Sequence, residues 1–287
     1  MNEEYLMNNP LFLGVVFFVL GLMIGSFLNV VIYRLPVMMK NDWHEQCCEL
    51  LSVENTQPAK MNLAFPASHC PVCQHNIKAW ENIPVISYLF LGGKCAGCKT
   101  PISLRYPFIE LLTGALSAVV ILHFGLTVQG GLALVLTWSL ICLTLIDYDE
   151  KLLPDSITLP LLWLGLLANL FSTYTSLENS VIGAMAGYLS LWSVFWLFKI
   201  VTGKDGMGYG DFKLLAALGA WMGWQMLPLI IILSSLVGSI LGILAIALFR
   251  RDRNNSIPFG PFLAIAGWIA FVWGDKLLTQ YLQIFSQ

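Results

Sequence analysis

The chain has 287 residues, 57% hydrophobic and only 11% charged, with a net charge of -2 and a mean hydropathy of +0.73. A soluble domain carries about 25% charged residues, so the composition excludes a soluble globular protein and implies a polytopic membrane protein. The net charge says little about partners, because placement matters more than the sum. The expected surroundings are the lipid bilayer, with no nucleic acid and no low-complexity tract.

Crossing roughly 30 Å of hydrocarbon takes about 20 apolar residues. Apolar runs near that length fall at about 11–33, 107–123, 130–146, 157–172, 181–198, 212–224, 226–249 and 260–274. The run at 212–224 is short and is interrupted by Gly, Trp and Pro. The expected fold is all-α, with about eight transmembrane helices. The expected division is an N-terminal transmembrane helix over 1–35, a soluble insert over 36–106, and a seven-helix transmembrane core over 107–287.

Lys and Arg set the orientation. Arg34, Lys40, Lys60, Lys78, Lys94, Lys99 and Arg105 fall between the first two spans. Lys151 follows the third span, Lys199, Lys204 and Lys213 lie between the fifth and sixth, and Arg250, Arg251 and Arg253 lie between the seventh and eighth. Only Lys276 lies opposite, so 14 of 15 basic residues share one face, which is read as cytoplasmic. Glu3 and Glu4 precede the first span, and no basic n-region marks a cleavable signal. The N-terminus is therefore placed outside, in the periplasm.

The insert carries Cys70-Pro-Val-Cys73 and Cys95-Ala-Gly-Cys98, with 21 residues between the pairs. Two C-x-x-C knuckles at this spacing resemble a zinc ribbon, in which four thiolates close a tetrahedral, structural site. Disulfides are disfavoured on a cytoplasmic face, which favours metal over a redox pair. His69 and His75 flank the first knuckle and are read as surface histidines. Cys47, Cys48 and Cys142 are read as free thiols. Gly92-Gly93-Lys94 leads into the second knuckle, where a tight turn is a sufficient reading on local grounds.

Carboxylates beside a bilayer core are expensive and mark function. Asp147 closes the third span, with Asp149, Glu150 and Asp155 following. Asp211 ends Gly206-Met207-Gly208-Tyr209-Gly210-Asp211 and opens the sixth. If those two helices pack together, Asp147 and Asp211 meet and share a proton, as an aspartyl dyad does. Gly208 and Gly210 would let a peptide backbone approach. Blander readings stay open: Asp155 caps a helix, Asp211 complements a helix dipole, and Glu110 pairs with Arg105 or lines a polar cavity. A proton-coupled transporter or a zinc-bearing assembly scaffold also fits the carboxylates or the insert taken alone.

The whole pattern resembles the type IV prepilin peptidases, bifunctional leader peptidases and N-methyltransferases of the G-x-G-D aspartic intramembrane protease class. The resemblance runs through Gly25-Ser26-Phe27-Leu28-Asn29-Val30, Arg34-Leu35-Pro36, both C-x-x-C pairs, Trp80-Glu81-Asn82-Ile83-Pro84 and Gly92-Gly93-Lys94-Cys95. It continues through Arg105-Tyr106-Pro107 with Glu110, Leu145-Ile146-Asp147, Leu152-Leu153-Pro154-Asp155, Gly206 to Lys213, and Ile257-Pro258-Phe259-Gly260-Pro261. It implies an aspartic endopeptidase with Asp147 and Asp211 as its catalytic pair. Type IV prepilins and pseudopilins would be cut after a glycine on the cytoplasmic side of the bacterial inner membrane. The new N-terminus would be methylated from S-adenosylmethionine, with Gly93 and Lys94 associated with that step. No Gly-rich Rossmann-type strand–helix motif for the methyl donor is present.

Overall fold

The structure, a computed structural model, describes residues 9–54, 61–204, 206–249 and 258–285. Glu3, Glu4, Lys60, Arg250, Arg251, Arg253 and Ile257, used in the sequence reading, lie outside the described residues. The eight apolar runs correspond to eight long helices, and the described residues contain no strand beyond two isolated bridges. Five of those helices are long and apolar enough to cross a membrane. The chain divides into two compact units, 1–134 and 135–287.

The first unit is a helical hairpin with the insert between its arms. Helix α1 (Pro10–Leu51) starts where the Asn9 side chain accepts the Leu11 N–H at 3.0 Å, satisfying one of the orphan donors of a helix start. The sequence reading ends this helix near residue 35, ahead of Pro36. Instead α1 carries Pro36 inside it and continues to Leu51. Proline removes one ladder bond, but the polar run that follows keeps helical backbone until Ser52 turns left-handed at φ 53°. Helix α3 (Arg105–Phe124) packs along α1. The crossing is close because Gly21 and Gly25 have no side chains: a Cβ at either would lie 2.7 Å from the Cα of Gly114 or Glu110. Small residues spaced by four are a common device for tight helix contact in lipid. Between the arms lie a single 3₁₀ turn at Ala79–Asn82 and the short helix α2 (Ile86–Phe90).

The unit boundary falls inside α4 (Val128–Glu150). The second unit continues with α5 (Asp155–Leu170), α6 (Leu177–Thr202), α7 (Tyr209–Met222), α8 (Leu227–Phe249) and α9 (Gly260–Phe285). Helix α7 is the centre, packed on α5, α6 and α9. Its 14 residues extend about 21 Å at 1.5 Å per residue, short of a full span. Phe212, Leu214 to Ala220 and Trp221 are all buried, so α7 is a core helix surrounded by protein, for which span length is not required. Gly183 and Gly187 of α6 bring that helix onto α7: a Cβ at Gly187 would lie 2.6 Å from the Leu215 carbonyl. The end of α7 is closed by buried Asn169, whose Nδ2 donates to the Ala220 and Trp221 carbonyls at 2.8 and 3.1 Å. The Ser180 hydroxyl also donates to the Ala220 carbonyl, so both end carbonyls are satisfied in an apolar setting.

Candidate active site

Both acids proposed as a dyad lie in the second unit and are buried, Asp147 at 6% exposure and Asp211 at 5%. Asp147 sits one turn from the end of α4, while Asp211 is the third residue of α7. The Asp211 carboxylate turns back on its own helix start and accepts the Gly208 N–H at 3.2 Å. This is the helix-start reading of Asp211, and it leaves the carboxylate near enough to Asp147 for the two to interact electrostatically. The Gly260 N–H, at the start of α9, faces the Asp147 carboxylate. Asp147 Oδ2 is buried and has no hydrogen-bond partner among the described residues. A buried polar atom left this way is costly and calls for explanation.

Three glycines shape the surroundings. Gly208 has φ -85°, and a Cβ there would meet nothing nearer than 3.9 Å. Gly210 abuts Leu153, whose Cβ would lie 2.7 Å from an added one. Gly260 abuts both Asp147 Oδ2 and Leu153 Cδ1. Leu153 therefore stands between two of the three glycines. Asp149 and Glu150 are exposed. Asp155 is the first residue of α5 after Pro154, and both its oxygens lie 2.7 Å from Lys213 Nζ. It ties α5 to α7 and is not part of the buried pair.

In the first unit the four cysteines converge. Their sulfurs all lie within 4.8 Å of one another, with Cys70–Cys98 at 3.8 Å and Cys73–Cys95 at 3.9 Å. A tetrahedron with Zn–S bonds near 2.3 Å has sulfurs about 3.8 Å apart, so the set fits zinc. The knuckles are near copies of each other. Cys70 N–H donates to the His75 carbonyl and Cys95 N–H to the Thr100 carbonyl, each at 2.9 Å. Gln74 and Lys99 occupy matching left-handed positions at φ 59° and 62°. The Thr100 hydroxyl and N–H lower the Cys98 thiol to about 6, and backbone bonds from Cys73 and Val72 lower that of Cys70. A backbone bond from His75 lowers Cys73, but burial and the three neighbouring thiols outweigh it and raise that thiol to about 11. The fit to zinc therefore rests on the sulfur geometry. His75 Nε2 lies 3.0 Å from Glu81 Oε2, and His69 Nδ1 lies 3.0 Å from the Ala67 carbonyl. Cys47, Cys48 and Cys142 are free thiols.

Gly93 has φ 67°, and a Cβ there would meet the Tyr88 hydroxyl at 2.7 Å. Its carbonyl accepts the Ile102 N–H at 2.7 Å. Glycine is thus required by the turn alone. Lys94 is exposed beside it. Buried Glu110 accepts the Val85 N–H at 2.7 Å and bonds the Ser26 hydroxyl. Buried Arg34 donates to the carbonyls of Asn62 at 3.0 Å, Leu63 at 3.4 Å and Pro66 at 2.7 Å. Both side chains fasten the insert to the hairpin. The roles of Val85, Leu153 and Gly260 were not read from sequence. The nearest signal was Gly260-Pro261, a helix-opening pair.

Comparison with known proteins adds a separate line. Residues 19–124 match the bacterial peptidase A24 N-terminal domain, and residues 134–243 match the type IV leader peptidase family. A prepilin leader peptidase/N-methyltransferase from Pseudomonas aeruginosa is 57% identical, covering 98% of this chain and 97% of the relative. One of the same name from Stutzerimonas stutzeri is 56% identical, with the same coverages. A third, from Legionella pneumophila, is 47% identical over 98% of this chain and 99% of the relative. No solved structure gives a significant match.

Proposed function

Because the chain belongs to the type IV leader peptidase family, we propose that Asp147 and Asp211 are the pair with which it cuts prepilin leaders. The protein is a bifunctional enzyme, a prepilin leader peptidase and N-methyltransferase. The substrates are type IV prepilins or pseudopilins. Cleavage follows a glycine, at the cytoplasmic end of the substrate's apolar helix. The enzyme resides in the bacterial inner membrane with its N-terminus in the periplasm. The supports for this orientation are the one-sided basic residues and the positive-inside rule.

The observation that carries the catalytic assignment is the pair of buried, interacting carboxylates, one with an unpartnered oxygen. Two such groups in one apolar site hold one proton between them. The ionised member takes a proton from water, and the protonated member hydrogen-bonds the scissile carbonyl oxygen. Water oxygen adds to the carbonyl carbon. The C–N bond then breaks as the amine leaves with a proton from the dyad. Gly208 has no packing partner that requires glycine, which leaves that backbone free to lie against a substrate strand, with Gly210 beside it.

Methyl transfer follows cleavage, since only cleavage creates the free α-amine. When bound, S-adenosylmethionine supplies an electrophilic methyl on sulfur. Gly93 and Lys94 are assigned to this activity on the family resemblance, and their geometry alone does not describe a donor pocket. Zinc held by Cys70, Cys73, Cys95 and Cys98 is structural, because four thiolates leave no open position.

The test is cleavage of a synthetic prepilin by purified protein in detergent. Asp147→Asn and Asp211→Asn should each lower kcat by at least about 1,000-fold, because the pair acts as a unit. Asp149→Asn, at an exposed position, should stay near wild type. Near-normal cleavage by Asp147→Asn would remove it from the dyad.

A further inference from the structure

The Gly-x-Gly-Asp run gives Asp211 its own positioning device, the Gly208 N–H three residues upstream at a helix start. Asp147 has no such neighbour in sequence. It lies at the end of a helix, where backbone N–H groups are already used in the ladder. An acid there needs a donor from elsewhere to fix its carboxylate.

We propose that Gly260 is that device: a positioning residue for Asp147, supplied from a helix start more than a hundred residues away. This rests on the reading of Asp147 and Asp211 as the catalytic pair. Three observations point to it. The Gly260 N–H faces the Asp147 carboxylate, and Gly260 opens α9, so its N–H is one of the donors a helix start leaves free. Asp147 Oδ2 lies against Gly260 so closely that a Cβ would come within 2.5 Å of it and 3.1 Å of Cγ. Among the described residues that oxygen is buried and accepts no hydrogen bond, so it is the close approach of Gly260, and no bond to Oδ2, that limits where the Asp147 carboxylate can sit. Leu153 completes the arrangement. Its Cδ1 lies 3.2 Å from the Cβ position of Gly260, and its Cβ lies 2.7 Å from that of Gly210. One side chain thus spaces the glycine beside Asp147 from the glycine beside Asp211.

Gly260 touches neither substrate nor water in this scheme. It acts by holding a carboxylate, so its loss should appear in turnover and not in substrate affinity. Alanine at 260 would displace the Asp147 carboxylate by about 1 Å, and a misplacement of that size costs about 100-fold in rate.

The experiment compares Gly260→Ala with Gly267→Ala, on the same helix, where a Cβ would meet Leu218 Cδ1 at 2.5 Å. Gly267→Ala tests α9 packing without reaching Asp147. Kinetics are measured on the monodisperse folded fraction with synthetic prepilin. The expected result is a fall in kcat of about 100-fold for Gly260→Ala, with KM within threefold, and near-normal kcat for Gly267→Ala. A loss under tenfold, a loss expressed in KM, or equal losses in both variants would overturn the proposal. Thermal unfolding gives a second reading that survives poor folding. Most of the penalty of Gly260→Ala should disappear in an Asp147→Ala background, because the carboxylate it collides with is gone and only the looser Leu153 Cδ1 contact at 3.2 Å remains, and a double-mutant cycle measures this directly. A penalty unchanged by Asp147→Ala would also sink the idea. Failure of the dyad itself is distinguishable, because Asp147→Asn would then still cleave.

Discussion

At the scale of single residues, the glycines of the Gly-x-Gly-Asp run are not equivalent. Gly208 has an ordinary backbone angle and open space where a side chain would go, whereas Gly210 is pressed onto Leu153. Nothing inside the chain therefore requires glycine at 208. We expect Gly208→Ala to leave thermal stability within about 0.5 kcal/mol, as for a substitution away from packed features. It should still raise KM for prepilin several-fold, by occupying the face a substrate strand would use. Gly210→Ala should lower stability by about 1–3 kcal/mol, as overpacking does. Thermal unfolding and steady-state kinetics on the two variants decide it; equal loss of stability in both would put packing behind both glycines. The burial of both Asp residues was an expectation the sequence could raise, because a carboxylate beside an apolar run is costly unless it has a partner or a role. Gly260 raised no such expectation, because a glycine beside proline at a helix start already has a sufficient local reason, and its partner is remote in sequence.

The helices show where pattern reading works and where it stops. Apolar runs gave the helices because the bilayer admits little else. The first apolar run ends near residue 33, but α1 carries Pro36 and continues to Leu51, since one missing N–H can be borne within a long helix. The cysteine spacing announced the four-thiol cluster, but not how it is fastened. That depends on Arg34 and Glu110, a buried cation and a buried acid that bind insert backbone. Glu110 holds a strained point: Val85 has φ 61° and ψ -48°, a three-residue turn closed by the Ile86 N–H on the Pro84 carbonyl. A β-branched residue there is a true outlier, and no sequence pattern announces it. Because the knuckles bury so little around them, metal should supply much of their stability. The expected metal content is about one zinc per chain, from four cysteines around one ion. Cys70→Ser or chelation should expose residues 68–102 to limited proteolysis while the helices stay intact. A metal-free protein with a protease-resistant insert would disprove the zinc assignment.

Across the whole molecule, the chemistry divides as the contacts do. Asp147 and Asp211 lie in the unit formed by 135–287, and Gly93, Lys94 and the four clustered cysteines, Cys70, Cys73, Cys95 and Cys98, lie in the unit formed by 1–134. The two family matches, 19–124 and 134–243, fall either side of nearly the same boundary. The sequence reading had drawn the division around the polar insert. Polarity marks what leaves the bilayer, whereas α3 is apolar and yet packs with α1, a pairing set by Gly21 and Gly25 against α3. Hydrolysis requires no methyl donor, and methyl transfer requires no carboxylate dyad, so the activities should separate by mutation. Valine at 93 must adopt a left-handed backbone and displace the Tyr88 ring, which distorts the turn into the second knuckle, within the first unit. We therefore expect Gly93→Val to cleave prepilin at a rate within about threefold of wild type and to release a product lacking the added methyl mass. Conversely, Asp211→Asn given a pre-cut pilin and S-adenosylmethionine should still methylate it. Zinc content measured on the same Gly93→Val sample shows whether the knuckles survive. If the variant keeps its zinc and loses both activities together, the first unit supports the protease site directly, and the assignment of the two chemistries to separate units falls.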